Sequence, residues 1–306
     1  VRIATWNVNS VRARVERVVA FLERSGTDVL AIQETKCKDE QFPYAAFEAA
    51  GYEVAHVGFS QWNGVAVVSR VGIDDVEAAF AGQPGFAKPG PLPAPVPAPD
   101  EPADLFALAD APVASAGALA PGTGALAPGD AVDPIHEARA LGATCGGVRV
   151  WSLYVPNGRS LDDPHYGYKL AWLEALRAES ARWLEKDPQA QVALVGDWNV
   201  APLDTDVWDI GVFDGSTHVS AAERAAFAAF GEAGYREVSR EFLPAEHTYT
   251  YWDYKALAFP RNTGMRIDFT WASPALADRV TAVTIDRDER KGKGASDHVP
   301  VILDLA

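Results

Sequence analysis

Six short stretches of the chain set oxygen-bearing or ionisable side chains beside apolar runs. They are Thr5-Trp6-Asn7-Val8-Asn9, Ile32-Gln33-Glu34-Thr35-Lys36, Tyr154-Val155-Pro156-Asn157-Gly158, Gly196-Asp197-Trp198-Asn199, Arg266-Ile267-Asp268 and Ser296-Asp297-His298. Side chains at the ends of buried strands are placed to converge on one ligand. The carboxylates Glu34, Asp197, Asp268 and Asp297, with the amides around them, make a hard-oxygen donor set. Such a set suits Mg2+ or Mn2+, whereas zinc would call for Cys or several His. His298 has an acid immediately before it and another available from elsewhere, the usual means of fixing a tautomer and holding an imidazolium. The remaining histidines, His56, His136, His165, His218 and His247, have no matching acid in sequence and are expected to be structural or surface groups. Cys37 and Cys145 have no activating His nearby, so neither is expected to be a nucleophile.

Each stretch taken singly has an ordinary explanation. Asn7 is a common turn residue, Gln33-Glu34 a strand end, Tyr154 a half-buried core aromatic, Gly-Asp-Trp-Asn a turn, and Ser-Asp-His a cap. Six such features in one chain are not explained one at a time.

The elements that must position them are legible in the apolar pattern. Val11, Val15, Val18 and Leu22 recur at helical spacing and Gly26 follows, predicting a helix over about 12–24. Asp28–Gln33, Asn63–Ser69, Val148–Val155 and Val192–Val195 read as core strands, and others are expected near Ile267–Trp271, Thr281–Ile285 and Val299–Leu303. Asp163-Pro164 opens a helix carrying Leu170, Leu173, Leu176, Trp183 and Leu184, and Ser220 with Glu223 forms a capping box ahead of Phe227 and Phe230. Strands interspersed with helices indicate a layered α/β or α+β domain.

Composition bounds the rest. The chain has 306 residues, 48% of them hydrophobic and nine of them Trp, enough for a large core. Two cysteines exclude a disulfide scaffold. The residues from Pro89 to Pro134 hold 11 of the 21 prolines and six acids with no base. This segment is expected to be a disordered insert in a single domain spanning 1–306, with a helical turn near Asp104–Ala109, and to be either a tolerated loop or a tether for a partner. The formal net charge of -15 argues against a coat of non-specific nucleic-acid affinity, and about -9 remains without the insert's acids. No run of residues resembles a signal peptide or a membrane span, so a cytoplasmic protein is expected, with no membrane contact.

The six stretches, in this order and over the whole chain, resemble the exonuclease III-type AP endonucleases of the endonuclease/exonuclease/phosphatase superfamily. The resemblance implies a DNase I-like four-layer sandwich, two mixed β-sheets face to face with helices outside. It implies hydrolysis of DNA phosphodiesters at abasic sites and at 3′ ends, as AP endonuclease, 3′-5′ exonuclease and 3′-phosphatase or phosphodiesterase. Its cofactor would be Mg2+, or Mn2+, and its partner double-stranded DNA with abasic sites or blocked 3′ ends, bound by a monomer. Carried over by position, Glu34 would ligate the metal with Asn7 close by and Asp297 as a further ligand, Asp197 and Asn199 completing the set. Asp197 would deprotonate or orient the attacking water, held by Asn199. His298, supported by Asp268, would stabilise phosphate charge. Tyr154 and Asn157 would clamp the phosphate, the tyrosine also assisting the leaving oxygen. Trp252 and Met265 would line a pocket for a base-less sugar, the alternative being core packing. A DNA footprint is expected from the local bases Arg12, Arg14, Arg17, Arg159, Arg287, Arg290, Lys291 and Lys293, with Asn9 and Arg266 beside them; the Gly-spaced loop of Lys291 and Lys293 either approaches phosphates closely or is an ordinary solvated loop. Two alternatives stay open: a superfamily phosphoesterase for RNA, inositol phosphate or sphingolipid, and an inactive DNA-binding scaffold. A DNase-like relative would be expected to carry a second histidine where this chain has Tyr154.

Overall fold

Alternation of buried side chains along the strands builds two sheets that share one core. The computed structural model describes residues 1–86 and 136–306; the Pro/Ala segment, with its expected helical turn, lies outside the described residues. In chain order the elements are β1 (Arg2–Asn7), α1 (Val11–Ser25), β2 (Val29–Gln33), α2 (Tyr44–Ala49), β3 (Glu53–Val57), β4 (Val65–Ser69), β5 (Asp74–Glu77), β6 (Ala140–Cys145), β7 (Val148–Tyr154), α3 (Pro164–Lys186) and β8 (Val192–Asp197). They continue with α4 (Ala221–Glu232), β9 (Arg236–Glu237), α5 (Val238–Phe242), α6 (Ala258–Arg261), β10 (Asp268–Ala272), α7 (Pro274–Ala277), β11 (Val280–Ile285) and β12 (Val301–Leu305).

One sheet runs β11-β12-β1-β2-β4-β3 and the other β5-β6-β7-β8-β10-β9. Each is mixed for the same reason: its central pair, β1·β2 or β7·β8, is parallel, and the flanking pairings are antiparallel. In β1, Ile3 points into the core between the sheets with Val29, Ala31, Val150 and Val195. Its neighbours Ala4 and Trp6 point outward, under Val18, Phe21 and Leu22 of α1. The second sheet turns Trp151, Leu194 and Phe269 outward beneath Trp172 and Leu176 of α3 and Phe227 and Phe230 of α4. Three apolar layers thus separate four layers of structure, helix, sheet, sheet, helix. Each fully buried aliphatic or aromatic side chain contributes roughly 1.5–3 kcal/mol by leaving water.

The caps follow the sequence. Asp163 accepts from the His165 amide with Pro164 at the first helical position, and Ser220 and Glu223 close the capping box of α4. The strands β3 and β6 were not signalled. β3 is an edge strand whose Glu53 is exposed and whose His56 interrupts the apolar run, and β6 directly follows the Pro/Ala segment.

Candidate active site

Strand register gathers the chemistry of the second sheet at one end. Tyr154 of β7 and Asp268 of β10 both pair with Asp197, the last residue of β8, so three ionisable groups stand in one row across adjacent strands. Gly196 makes this row possible, because a Cβ there would lie 1.9 Å from the Leu153 carbonyl oxygen. In the first sheet Asn7 pairs with Gln33, which delivers Glu34 one residue later. Gln33 donates to Ser152 Oγ at 3.0 Å, and Ser152 donates to the Ile32 carbonyl at 2.9 Å, so the two sheets are pinned together beside the site. Trp6 Nε1 donates to the His298 carbonyl at 3.0 Å and holds the segment before β12 in place.

His298 lies between two carboxylates. Its Nδ1 is 2.9 Å from Asp268 Oδ2, and its Nε2 is 3.7 Å from Asp197 Oδ2. Burial alone would lower the imidazole pKa, but the charges of Asp268 and Asp197 outweigh it and raise the pKa to about 10. The protonated ring therefore donates from Nδ1 to Asp268 and keeps its Nε2–H, 3.7 Å from Asp197, for another acceptor. Asp197 is pushed up to about 7, first by burial and then by the charges of Asp268 and Glu34 against the pull of His298. Asn7 Nδ2 donates to Glu34 Oε1 at 2.9 Å and to Asp197 Oδ2 at 3.0 Å, bridging the two sheets' carboxylates. Burial would raise Glu34, yet the Lys36 ammonium and the Asn7 bond bring it below its ordinary value. Tyr154 is held well above its ordinary value by burial and by the Glu34 charge, so its hydroxyl keeps its proton.

These groups open on a cavity of about 470 Å3 lined by the polar residues Glu34, Tyr154, Asn157, Asp197, Asn199, Asp297 and His298 and by the apolar and aromatic residues Trp208, Phe213, Tyr251, Met265 and Ile267. Asn157 Nδ2 donates to Asn199 Oδ1 at 3.2 Å, and Asn199 Nδ2 donates to the Val155 carbonyl at 2.9 Å. His218 also lines the cavity, which its sequence context did not indicate. Burial and the Lys169 charge lower its pKa to about 4, so it is neutral. Its Nδ1–H donates to the Asn199 carbonyl, and Asn157 Nδ2 lies 3.4 Å from its Nε2. The only sequence signal was its place just before the Ser220 capping box.

Several expected roles are corrected by placement. Trp252 is 1% exposed and packs on Tyr249, Phe259 and Val299, so it does not line this cavity. Alternation turns its neighbour Tyr251 to the cavity instead, with its ring 4.9 Å from that of His298. Arg266 is likewise buried, donating to the Leu243 carbonyl at 2.9 Å, while Met265 and Ile267 on either side face the cavity. It has no surface to offer DNA. Asn7 presents its NH2 group to the carboxylates, and its Oδ1 accepts from the Asn9 amide at 3.0 Å, which makes it an orienting bridge rather than an oxygen ligand. His56 does find an acid, since its Nδ1 is 2.8 Å from Asp39 and its Nε2 is 2.8 Å from Thr35 Oγ1, outside the cavity. Of the proposed DNA contacts, Arg12, Arg14 and Lys293 border one surface hollow. Lys291 is exposed and paired with Asp288 at 2.6 Å, and Arg159 is exposed beside Asp163 at 3.6 Å. Asn9 Nδ2 donates to Asp297 at 3.1 Å.

Left-handed backbone clusters at the site: Asn9, Glu34, Lys36, Arg159 and Asn199 have φ of 45°, 54°, 51°, 59° and 51°. Non-glycine residues there cost roughly 1–3 kcal/mol each, a strain typical of functional sites.

The donors fit a hard divalent cation. Lys36 places its ammonium against Glu34 Oε2 at 2.6 Å and against Asn9 Oδ1, and Asp297 is the next group along. The edge is therefore already an oxygen cradle around a positive charge. Asp197, Asp268 and His298 also bring ligand atoms within 4.8 Å of one another. There, however, the protonated imidazole itself supplies the positive charge between the two acids, and the Glu34 and Asp297 carboxylates are the acids that could hold a cation instead.

Two face-to-face mixed sheets with helices outside, carrying acids, amides and a histidine at one edge, define a DNase I-like phosphoesterase fold. The model of the Endonuclease/Exonuclease/phosphatase family matches residues 4–298, and the chain belongs to that family. It is 26% identical to the exodeoxyribonuclease III of Haemophilus influenzae over 98% of each chain. Among solved structures it resembles a 3′-5′ exonuclease from Neisseria meningitidis, with 30% identity, a TM-score of 0.79 and coverage of 100% of this chain and 99% of the other. It also resembles an AP endonuclease from Archaeoglobus fulgidus, with 29% identity, a TM-score of 0.78 and the same coverage. No helix among the described residues is long and apolar enough to cross a membrane.

Proposed function

We propose that this protein is a Mg2+-dependent DNA repair nuclease that hydrolyses phosphodiesters and phosphomonoesters at abasic sites and 3′ ends of double-stranded DNA. It would act as a monomer in the cytoplasm. The observation that carries this assignment is the Asp268–His298–Asp197 line beside the Asn157–Asn199 amide pair, with His298, Asp197 and both asparagines lining one cavity. Asp197, free of its proton above about pH 7, accepts the proton of a water whose oxygen bonds to phosphorus. Protonated His298 and the Asn157 amide donate to the non-bridging oxygens as negative charge builds on them. The Tyr154 hydroxyl donates to the leaving oxygen as its bond to phosphorus breaks. Glu34 and Asp297, with Asn7 and Asn9 orienting them, would hold the cation, which supplies neutralisation of phosphate and leaving-group charge. Complete catalytic groups disfavour the scaffold alternative, and the Arg12–Arg14–Lys293 hollow favours a polyanion over a small phosphoester.

A second, narrower reading rests on His218. Its neutral imidazole, bonded to the Asn199 carbonyl and beside the Asn157 amide, lines the cavity, and we propose that it narrows the site against an abasic sugar with chain on both sides and so favours a terminal 3′-phosphate. Side-by-side assays of abasic and 3′-phosphate duplexes are expected to give the higher kcat/KM on the 3′-phosphate, with His218→Gly raising abasic cleavage at least about tenfold relative to it. An unchanged ratio in the variant would exclude His218 as the discriminating group.

The basic hollow makes a separate prediction. Lys293→Ala is expected to reduce the salt slope of duplex binding by about 0.9, the loss of one phosphate contact, and Lys291→Ala by less because Asp288 already pairs with it. Equal slopes for wild type and both variants would remove this loop from the interface.

A further inference from the structure

Behind the two cavity asparagines sits a lysine with no role in the chemistry above. Lys169 of α3 is fully buried, as is Glu223, the capping-box acid of α4. The three ammonium protons of Lys169 meet three acceptors: a Glu223 carboxylate oxygen, the Asn199 carbonyl at 2.6 Å and the Asn157 carbonyl at 3.2 Å. The acceptors come from the start of α4, the loop after β8 and the loop after β7. Glu223 in turn accepts from the His218 amide at 2.9 Å and from Thr217 Oγ1 at 2.6 Å, and Thr217 Oγ1 also lies 3.1 Å from the Asn157 carbonyl. Gly158 lets these strands of chain close up, since a Cβ there would lie 2.7 Å from Thr217 Oγ1 and 3.2 Å from Lys169 Cδ.

A buried ion pair is rarely the stablest way to fill a core, because well-packed apolar side chains of similar volume serve as well or better. A helix cap alone needs only Ser220 and the glutamate, not a buried lysine. The third feature, two active-site loops hung by their carbonyls on one ammonium, is what the pair adds.

We infer that Lys169 and Glu223 form a positioning hub that fixes Asn157, Asn199 and His218 relative to one another for phosphate binding. The hub touches no reacting atom. It acts through the backbone of the residues that do, and it rests on the nuclease assignment above.

The test separates holding the fold from holding the loops. Lys169→Met and Glu223→Gln, each alone, leave an unpaired buried group and are expected to lower Tm. The double variant K169M/E223Q removes both charges and is expected to recover most of that Tm. Its kcat on a 3′-phosphate duplex is expected to remain about 10–100-fold below wild type with KM within roughly threefold, because misplaced transition-state donors cost rate more than ground-state binding. A double variant that recovers both Tm and kcat overturns the hub. Thr217→Val, which removes only a hydroxyl, is expected to lower kcat in the same sense, and wild-type kcat in that variant would overturn the hub whether or not the double variant folds. The side-chain amide NMR signals of Asn157 and Asn199 report their mutual hydrogen bond without any substrate. They are expected to shift in the variants, and unchanged signals would also overturn it. Wild-type protein inert on every DNA tested would instead remove the nuclease assignment, leaving the NMR result to judge the hub.

Discussion

Asp197→Asn is expected to lower kcat on either DNA substrate by about 10²–10⁴-fold, the usual contribution of a positioned general base. The substitution is nearly isosteric. Asp197 Oδ1 accepts from the Asn199 amide at 3.0 Å and Oδ2 from Asn7 Nδ2 at 3.0 Å. A carboxamide oxygen keeps one of these contacts while its NH2 faces the other donor, so Tm is expected to fall with the cost of one lost buried hydrogen bond, about 1–3 kcal/mol, while the rate collapses. The effect is on proton acceptance: a carboxamide cannot take the proton of the attacking water at any pH in range. Near-normal cleavage by a folded Asp197→Asn enzyme would move the base elsewhere, with Glu34 the nearest acid across the Asn7 bridge.

The second large effect belongs to His298. Replacing it with Ala is expected to cost about 2.7–4 kcal/mol of transition-state stabilisation, a 10²–10³-fold loss of kcat. Its titration gives the expectation a shape. Asp197 must be deprotonated to act and is held near 7, so kcat/KM rises with pH through that region. His298 must be protonated to donate and is raised to about 10, so the rate falls as pH climbs past that value. The two groups interact, and the limbs describe the pair. Asp268 is the foremost charge opposing the burial of His298, so Asp268→Asn should bring the falling limb to lower pH. A falling limb that stays in place would show that Asp268 does not sustain the imidazolium.

Much of this site is legible in the sequence, because residues at strand ends carry a mark there: a buried run stopping at a polar residue. Asp197 and Tyr154 were found that way, and the register of β7 with β8 then joined them. What stayed hidden depended on which way a side chain points. Tyr251 and Trp252 differ by one position, and only the bridges of Tyr251 to Met265 and His298 decide which faces the cavity. Arg266 lies between two cavity residues and points away from both for the same reason. His218, Lys169 and Glu223 were invisible as a site for another reason. His218 sits on a loop, Lys169 in mid-helix, and Glu223 had already been accounted for as a cap. Their link is spatial, made where α3 and α4 close over the ends of β7 and β8. Among the fold elements, edge strands such as β3, half exposed and interrupted by His56, lacked the apolar run that marks a central strand.

The most direct test of the central claim, that this edge is one cation-assisted phosphoester-hydrolysing centre, is phosphate release from a 3′-phosphate DNA duplex by wild-type protein freed of metal. With chelator present no phosphate should be released above background. Adding Mg2+ or Mn2+ back should restore release, and the restored rate should disappear in Glu34→Gln. Undiminished release in chelator, or none from either the 3′-phosphate or the abasic duplex with metal supplied, would contradict it.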